Sequence, residues 1–127
     1  MLIKREKSII DWDVLEFKSI ERATFDFKYL RIDNKMKNIS IQDGIFEQIK
    51  VQEISSEMLQ KIICDIDKIK INKWKNRYSW NHRIADGKHW ELCLFKNETM
   101  IFKSEGHSIY PKKFRLLLEI YDRLIHV

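Results

Sequence analysis

Thiols and imidazoles are side chains that bind Zn²⁺, and this chain has two cysteines and four histidines. A shared zinc site would draw on Cys64, His82, His89, Cys93 and His107. His89 and Cys93 lie four residues apart on one predicted strand, so their Cα atoms would be roughly 13 Å apart. That is too far for both to bind one Zn²⁺ ion at about 2.0 to 2.3 Å. We therefore predict no metal site and no cofactor, and we expect both cysteines, which lie in apolar periodic segments, to be buried free thiols.

The sequence contains no complete catalytic motif of the common kinds. His89-Trp90-Glu91 matches the His-x-Glu of zinc nucleobase deaminases, but that chemistry needs a downstream Pro-Cys-x-x-Cys, and the single proline, Pro111, is not followed by cysteine. With only 3 glycines the chain has no Gly-x-Ser-x-Gly elbow and no glycine-rich phosphate loop. We predict that the protein is not an enzyme. The alternative is a small enzyme with His82 or His107 as general base.

Cationic and aromatic side chains interleave between Lys68 and Trp90. Cations neutralise phosphates and aromatic faces stack bases, so the run is typical of a single-strand nucleic-acid binder. Trp, Tyr and Arg also dominate protein–protein hot spots, and a third interpretation places the tryptophans in the core. The predicted binding residues, for protein or nucleic acid, are Lys73, Trp74, Lys75, Arg77, Tyr78, Trp80 and Arg83.

Composition indicates one domain, residues 1–127, with a single core. The chain has 127 residues, 44% of them hydrophobic, and its 3 glycines and 1 proline leave no flexible linker. No apolar run is long enough for a signal h-region or a membrane span, which predicts a cytoplasmic protein that does not enter a membrane. The net charge of +5 suggests an affinity for polyanions, although 19 acidic residues are interspersed with 24 basic ones.

The first half predicts an antiparallel meander of three or four strands. Imperfect alternation favours a strand within Ser8 to Ser19, and clear alternation predicts strands at Ala23 to Ile32 and Asn38 to Gln42. Asp43-Gly44 is a turn, and Phe46 to Glu53 is the next predicted strand. The predicted apolar faces are formed by Phe25, Phe27 and Tyr29, by Ile39 and Ile41, and by Ile49 and Val51.

The second half predicts two helices and a hairpin. Ser55-Ser56 supplies an N-cap for a helix from about Ser56 to Ile69. Strands His89 to Lys96 and Met100 to Ser104 form the hairpin, which turns at Asn97-Glu98, and Pro111 to Ile125 is a closing helix. The predicted fold class is α+β, a single domain with an antiparallel sheet of about five to six strands and two helices on one face, in the order β-β-β-(β)-α-β-β-α.

The chain from Trp74 onward resembles a loose group of small, mostly uncharacterised bacterial proteins. Their pattern is Trp, then Asp-Gly-x-x-Trp-x-Leu, then Gly-x-Asn-x-Tyr-Pro and a short amphipathic helix. Here it reads Trp74 or Trp80, Asp86 to Leu92, Gly106 to Pro111 and Phe114 onward, with Ser108 in place of the expected Asn. The resemblance supports the predicted fold of this half and implies no activity.

These observations favour a protein that acts by occupying the surface of another macromolecule. We predict a non-enzymatic binding protein, an inhibitor of the toxin-immunity or phage anti-defence kind, with a protein as partner. The alternative is direct nucleic-acid binding through the basic-aromatic run at residues 68–90, with an affinity that falls steeply with salt. An open antiparallel sheet also has edges through which a homodimer could form.

Overall fold

The computed structural model describes residues 11–78 and 88–126. One sheet of seven strands has the order β4-β3-β2-β1-β6-β7-β5. All neighbouring pairs are antiparallel except β5, which runs parallel to β7. The strands are β1 Val14–Glu21, β2 Asp26–Asp33, β3 Asn38–Asp43, β4 Lys50–Glu53, β5 Arg77–Tyr78, β6 Lys88–Lys96 and β7 Thr99–His107.

The α+β class is confirmed, whereas the prediction of five to six strands in an antiparallel sheet is wrong. The strand beyond the predicted number is β5, which has two residues and lies in the run from Lys73 to Arg83. The broken periodicity of that run predicts either a long ordered loop or a short irregular strand, without indicating a partner for the strand. Hairpin signals such as turn dipeptides detect antiparallel neighbours only, so a parallel pair between distant segments leaves no local mark.

Two helices, α1 (Ser56–Asp67) and α2 (Phe114–Ile125), complete the fold. The predicted cap of α1 is confirmed, because Ser55 Oγ accepts a hydrogen bond from the backbone N–H of Met58 at 3.1 Å. Helix α2 begins three residues later than predicted from Pro111, since Lys113 has a left-handed φ of 67° that no helix residue can adopt. Neither helix has the length and apolar content to cross a membrane.

The buried face of the sheet carries the apolar residues of alternate strand positions. Leu15 and Phe17 of β1 and Leu30 and Ile32 of β2 are fully buried and join one cluster with both helices. The prediction that Phe25, Phe27 and Tyr29 form one apolar strand face is wrong for Phe25, which lies in the turn before β2 and has a φ of 57°. Phe27 and Tyr29 share a face, but they alternate with the buried Leu30 and Ile32 and therefore lie on the side of the sheet away from the helices. Both faces of β2 carry apolar residues, so alternation alone could not decide which of them meets the helices.

An aromatic cluster closes the β6–β7 end of this core. Trp90 is fully buried, and its ring centroid lies 5.8 Å from that of Trp74 and 5.0 Å from that of Phe114. The Trp90 Nε1–H donates to the carbonyl of Ile109 at 2.8 Å. Gly106, directly opposite Trp90, leaves room for this contact, since a Cβ there would lie 2.6 Å from Trp90 Nε1. Strand β7 therefore continues three residues beyond the predicted end at Ser104, and the missing side chain of Gly106 makes space for the indole.

The hairpin of β6 and β7 contains a register shift. Its two turn residues, Asn97 and Glu98, both have positive φ, as tight hairpin turns require. Near the turn Phe95 pairs with Met100, but after a bulge Leu94 pairs with Phe102. A bulge of one residue reverses the face on which every later side chain of that strand lies, and it thereby decides which residues of β7 meet those of β6.

Candidate functional site

The aromatic part of the predicted binding run is mostly packed against the core. Trp74 is only 6% exposed and belongs to the aromatic cluster. Tyr78 is half-buried, 5.9 Å from Trp90 between ring centroids, and its hydroxyl accepts the backbone N–H of Lys75 at 2.8 Å. Neither ring presents a stacking face as open as a single-strand binder needs.

Three of the four basic residues predicted to bind are exposed, and the fourth, Arg83, lies outside the described residues. Lys73, Lys75 and Arg77 all point into solvent, and Arg77 lies 3.8 Å from the carboxylate of Glu105 on the paired strand. Trp80 and Arg83, the two remaining predicted binding residues, lie outside the described residues, and so does the alternative catalytic base His82. The binding role of this run stays a prediction.

The most exposed of the large apolar side chains among the described residues, Phe46, lies at the opposite end of the sheet together with three other exposed apolar residues. Phe46 is 91% exposed, Val51 64% and Ile49 53%, and Ile45 is also exposed. The prediction that Ile49 and Val51 face inward from a strand beginning at Phe46 is wrong. Only Lys50–Glu53 is a strand, and its register places Val51 opposite Ser40 on the face that the helices do not cover. We call this feature, formed by Ile45, Phe46, Ile49 and Val51 together with strand β4, the β4 edge surface.

The outer edge of β4 pairs with no strand in residues 11–78 or 88–126. The backbone N–H of Ile54 donates to the carbonyl of Lys37 at 2.9 Å, which fixes the pattern of the ladder. Because hydrogen-bonded and non-hydrogen-bonded pairs alternate in an antiparallel ladder, Gln52 bonds to Ile39 while Val51 and Glu53 turn their backbone groups outward. The edge therefore offers two residues whose N–H and C=O groups can receive another strand.

The segment that carries this edge is acidic, unlike the chain as a whole. Residues 42–53 contain one lysine, Lys50, and three acidic residues, Asp43, Glu47 and Glu53, a net charge of −2 (one minus three). A phosphate backbone would be repelled there, whereas a segment with basic flanks would be attracted.

A second group of polar side chains lies on the face of the sheet opposite the helices. Ligand atoms of His89, Glu91 and Glu105 all lie within 4.8 Å of one another. The bulged register produces this group, since it places Glu91 opposite Glu105 and His89 opposite His107. Cys93, the residue paired with His89 in the sequence argument, is not a member. Its thiol is buried, and burial raises the thiol pKa. Cys64 is exposed, so the prediction that both thiols are buried is wrong for that residue.

Two carboxylates at the far end of the same face, those of Asp13 and Asp33, accept hydrogen bonds from backbone N–H groups of turns. A cleft of about 650 Å³ lies there. Asp33 accepts the backbone N–H groups of Lys35 and Met36, and Asp13 accepts that of Asn97, which lowers the pKa of the Asp13 carboxyl. These contacts explain Asp33 and Asp13 as residues that cap turns.

Two tyrosines beside carboxylates have raised pKa values. Burial, together with the hydrogen bond from its hydroxyl to Glu16 at 2.8 Å, raises the pKa of Tyr29 to about 12. Burial and the bond to Asp43 raise the pKa of Tyr121 further in the same direction. Both phenols are therefore neutral donors that anchor strands, and they are unsuited to act as bases near neutral pH.

Neither a protein-family model nor a curated protein sequence matches this chain. The resemblance of the second half to small bacterial proteins stays a prediction.

Sequence reasoning missed both surfaces for identifiable reasons. The apolar run Ile45 to Val51 has a net hydrophobic character, and hydrophobicity by itself predicts burial. The sequence does not indicate that Glu105 lies opposite Glu91, because that pairing depends on the bulge between Leu94 and Phe95. The one available signal was the mirrored spacing His89-x-Glu91 and Glu105-x-His107 on either side of the turn.

Proposed function

We propose that this chain is a non-enzymatic binding protein that docks on another protein, as inhibitors of the toxin-immunity and phage anti-defence kinds do. The observation that carries the proposal is the β4 edge surface, where exposed apolar side chains lie beside a strand edge that pairs with no described strand. Natural proteins usually protect such edges, and contiguous exposed apolar groups mark interaction sites. A partner on this surface would remove Phe46, Ile49 and Val51 from water.

The occupant that fits best is an extended segment of the partner, added as a strand beside β4. The outward N–H and C=O groups of Val51 and Glu53 supply main-chain hydrogen bonds, and the side chains of Ile49 and Val51 supply apolar contacts on one face. The net charge of −2 on residues 42–53 favours a segment whose apolar residues are flanked by lysine or arginine. The same charge opposes nucleic acid at this surface.

A single backbone change tests strand addition. The N–H of Val51 points away from β3, so Val51→Pro removes a donor to the partner without removing a bond within the sheet. We expect Val51→Pro to abolish capture of the partner and Phe46→Ala to weaken capture by about tenfold or more. The measurement is retention of nuclease-treated bacterial lysate proteins on tagged chain, with identification by mass spectrometry and affinity measurement on the purified partner.

Two controls distinguish the competing outcomes. A Lys73→Ala/Lys75→Ala/Arg77→Ala variant should retain the partner, because its substitutions lie at the other end of the sheet. The opposite result would be capture of nucleic acid that salt releases and that the triple variant no longer binds. In that case the basic run is the binding site and the proposal fails. A wild-type dimer in light scattering that Val51→Pro converts to a monomer would also overturn it, because the occupant would then be a second copy of the chain.

A further inference from the structure

The polar face of the β6–β7 hairpin has the geometry of a metal site. We propose that His89, Glu91 and Glu105 bind a divalent transition-metal ion such as Zn²⁺. Their ligand atoms all lie within 4.8 Å of one another, so each is within about 2.8 Å of a common centre, against about 2.0 to 2.2 Å for Zn²⁺ bonded to imidazole nitrogen or carboxylate oxygen. Small side-chain rotations are enough to close that difference.

The scaffold beneath these ligands is a pair of regularly paired antiparallel strands. His89 and Glu91 are two residues apart on β6 and share a face, and Glu105 lies directly opposite Glu91 on β7. Two carboxylates directly opposite each other repel unless a cation separates them. Imidazole with carboxylate oxygens and no thiolate suits Zn²⁺ and its neighbours among the borderline divalent ions.

The two carboxylates have coordination capacity to spare. Lys18 and Lys103 lie 3.6 and 3.7 Å from Glu91, and Arg77 and Lys103 lie 3.8 and 3.9 Å from Glu105. All four distances exceed the length of a hydrogen bond, and none of the hydrogen bonds found among the described residues ends on either carboxylate. The lysine side chains are more than 40% exposed, so they can move into solvent when an ion enters.

A further imidazole lies next to the three ligands. The ring centroids of His89 and His107 are 6.3 Å apart, and the buried Nε2 atom of His107 has no hydrogen-bond partner among the described residues. Solvent reaches the site, because the side chain of His89 is 45% exposed and those of the two glutamates 25%. Water can therefore complete the coordination of a bound ion.

The test is a Zn²⁺ titration of untagged protein by calorimetry, with the histidine ring resonances followed by NMR. We expect one equivalent to bind and to shift the resonances of His89. His89→Ala and the double variant Glu91→Gln/Glu105→Gln should each weaken binding by more than about tenfold. A matched control, Glu57→Gln/Glu119→Gln, replaces two exposed glutamates on the helices and should bind like wild type. Circular dichroism checks that each variant is folded.

Lys103 gives the second, opposite test. Because its ammonium group lies between the two carboxylates and competes with an ion, Lys103→Met should raise the Zn²⁺ affinity several-fold. No binding by wild type, or equal binding by wild type and the His89 and glutamate variants, would assign any Zn²⁺ to scattered side chains such as His126 or Cys64 and overturn the proposal. Unchanged affinity in Lys103→Met would overturn it as well, since the ion would then lie away from the carboxylates.

Discussion

Trp74 and Phe46 are large apolar side chains near opposite ends of the sheet, and they differ in solvent exposure. At the β5 end, Trp74 lies in a run rich in lysine and is 6% exposed. At the β4 end, Phe46 lies among other apolar residues and is 91% exposed. The difference in exposure arises because a helix packs over one of these residues and not over the other. Phe114, at the start of α2, packs 6.0 Å from Trp74 between ring centroids. Phe46 lies in the turn between β3 and β4, and Val51 of β4 lies on the face of the sheet that carries no helix.

This comparison teaches that position on the sheet decides burial more than composition does. A tryptophan between lysines is buried when its ring meets a neighbouring aromatic residue, because the cations can extend past it to water. An apolar residue in an edge strand stays exposed when the register directs it away from the helices. Exposure of that kind has a cost in water, and the proposed partner strand would offset it.

Replacing one aromatic residue at each end should show the contrast most strongly. Trp74→Ala leaves a cavity in the aromatic cluster and should lower the free energy of unfolding by about 3 to 5 kcal/mol. The loss is one of packing, because the buried Nε1 of Trp74 has no hydrogen-bond partner among the described residues. Phe46→Ala should change stability by less than about 0.5 kcal/mol. Urea unfolding followed by circular dichroism measures both, and a large loss in Phe46→Ala would show that Phe46 packs within the chain.

A methyl group at Gly106 should disturb the buried end by a smaller amount. The added Cβ would lie 2.6 Å from the carbonyl oxygen of Ile109 and from Trp90 Nε1, so the hydrogen bond between those two groups must lengthen or break. We expect Gly106→Ala to cost about 1 to 3 kcal/mol. Thermal unfolding and tryptophan fluorescence report on it, with Thr99→Ala at an exposed position of the same strand as control. An unchanged melting temperature would mean that the indole is not held against this strand.

The smallest expected effect concerns the open face at alkaline pH. Burial raises the pKa of Tyr29 to about 12, above the ordinary value of about 10, so the folded state favours the neutral phenol. This contribution to stability is complete below about pH 10 and is lost as pH rises through about 12. Tyr29→Phe should flatten the fall of the urea midpoint over that range. The fall that remains comes in part from Tyr121, whose pKa is raised in the same direction. Identical profiles for variant and wild type would mean that Tyr29 is fully hydrated.

Much of the fold was predictable because its signals are local. The cap at Ser55, the helical spacing of Leu59, Ile62 and Ile66 and the turn at Asn97-Glu98 each act within a few residues, and the structure confirms all three elements. The candidate sites were much less predictable. To predict the β4 edge surface, one must know which face of the sheet the helices cover. To predict the group of His89, Glu91 and Glu105, one must know the position of a bulge that no local sequence motif indicates.

The sequence by itself determined the secondary-structure periods, most turns and the α+β class, since these follow from backbone geometry and the spacing of apolar residues. Tertiary structure alone decided the buried face of β2, the exposure of Val51 and the meeting of Glu91 with Glu105. The physical reason is the two-residue period of a strand. Alternation states which side chains share a face, but the choice between the two faces is made by register and by the helices that pack there.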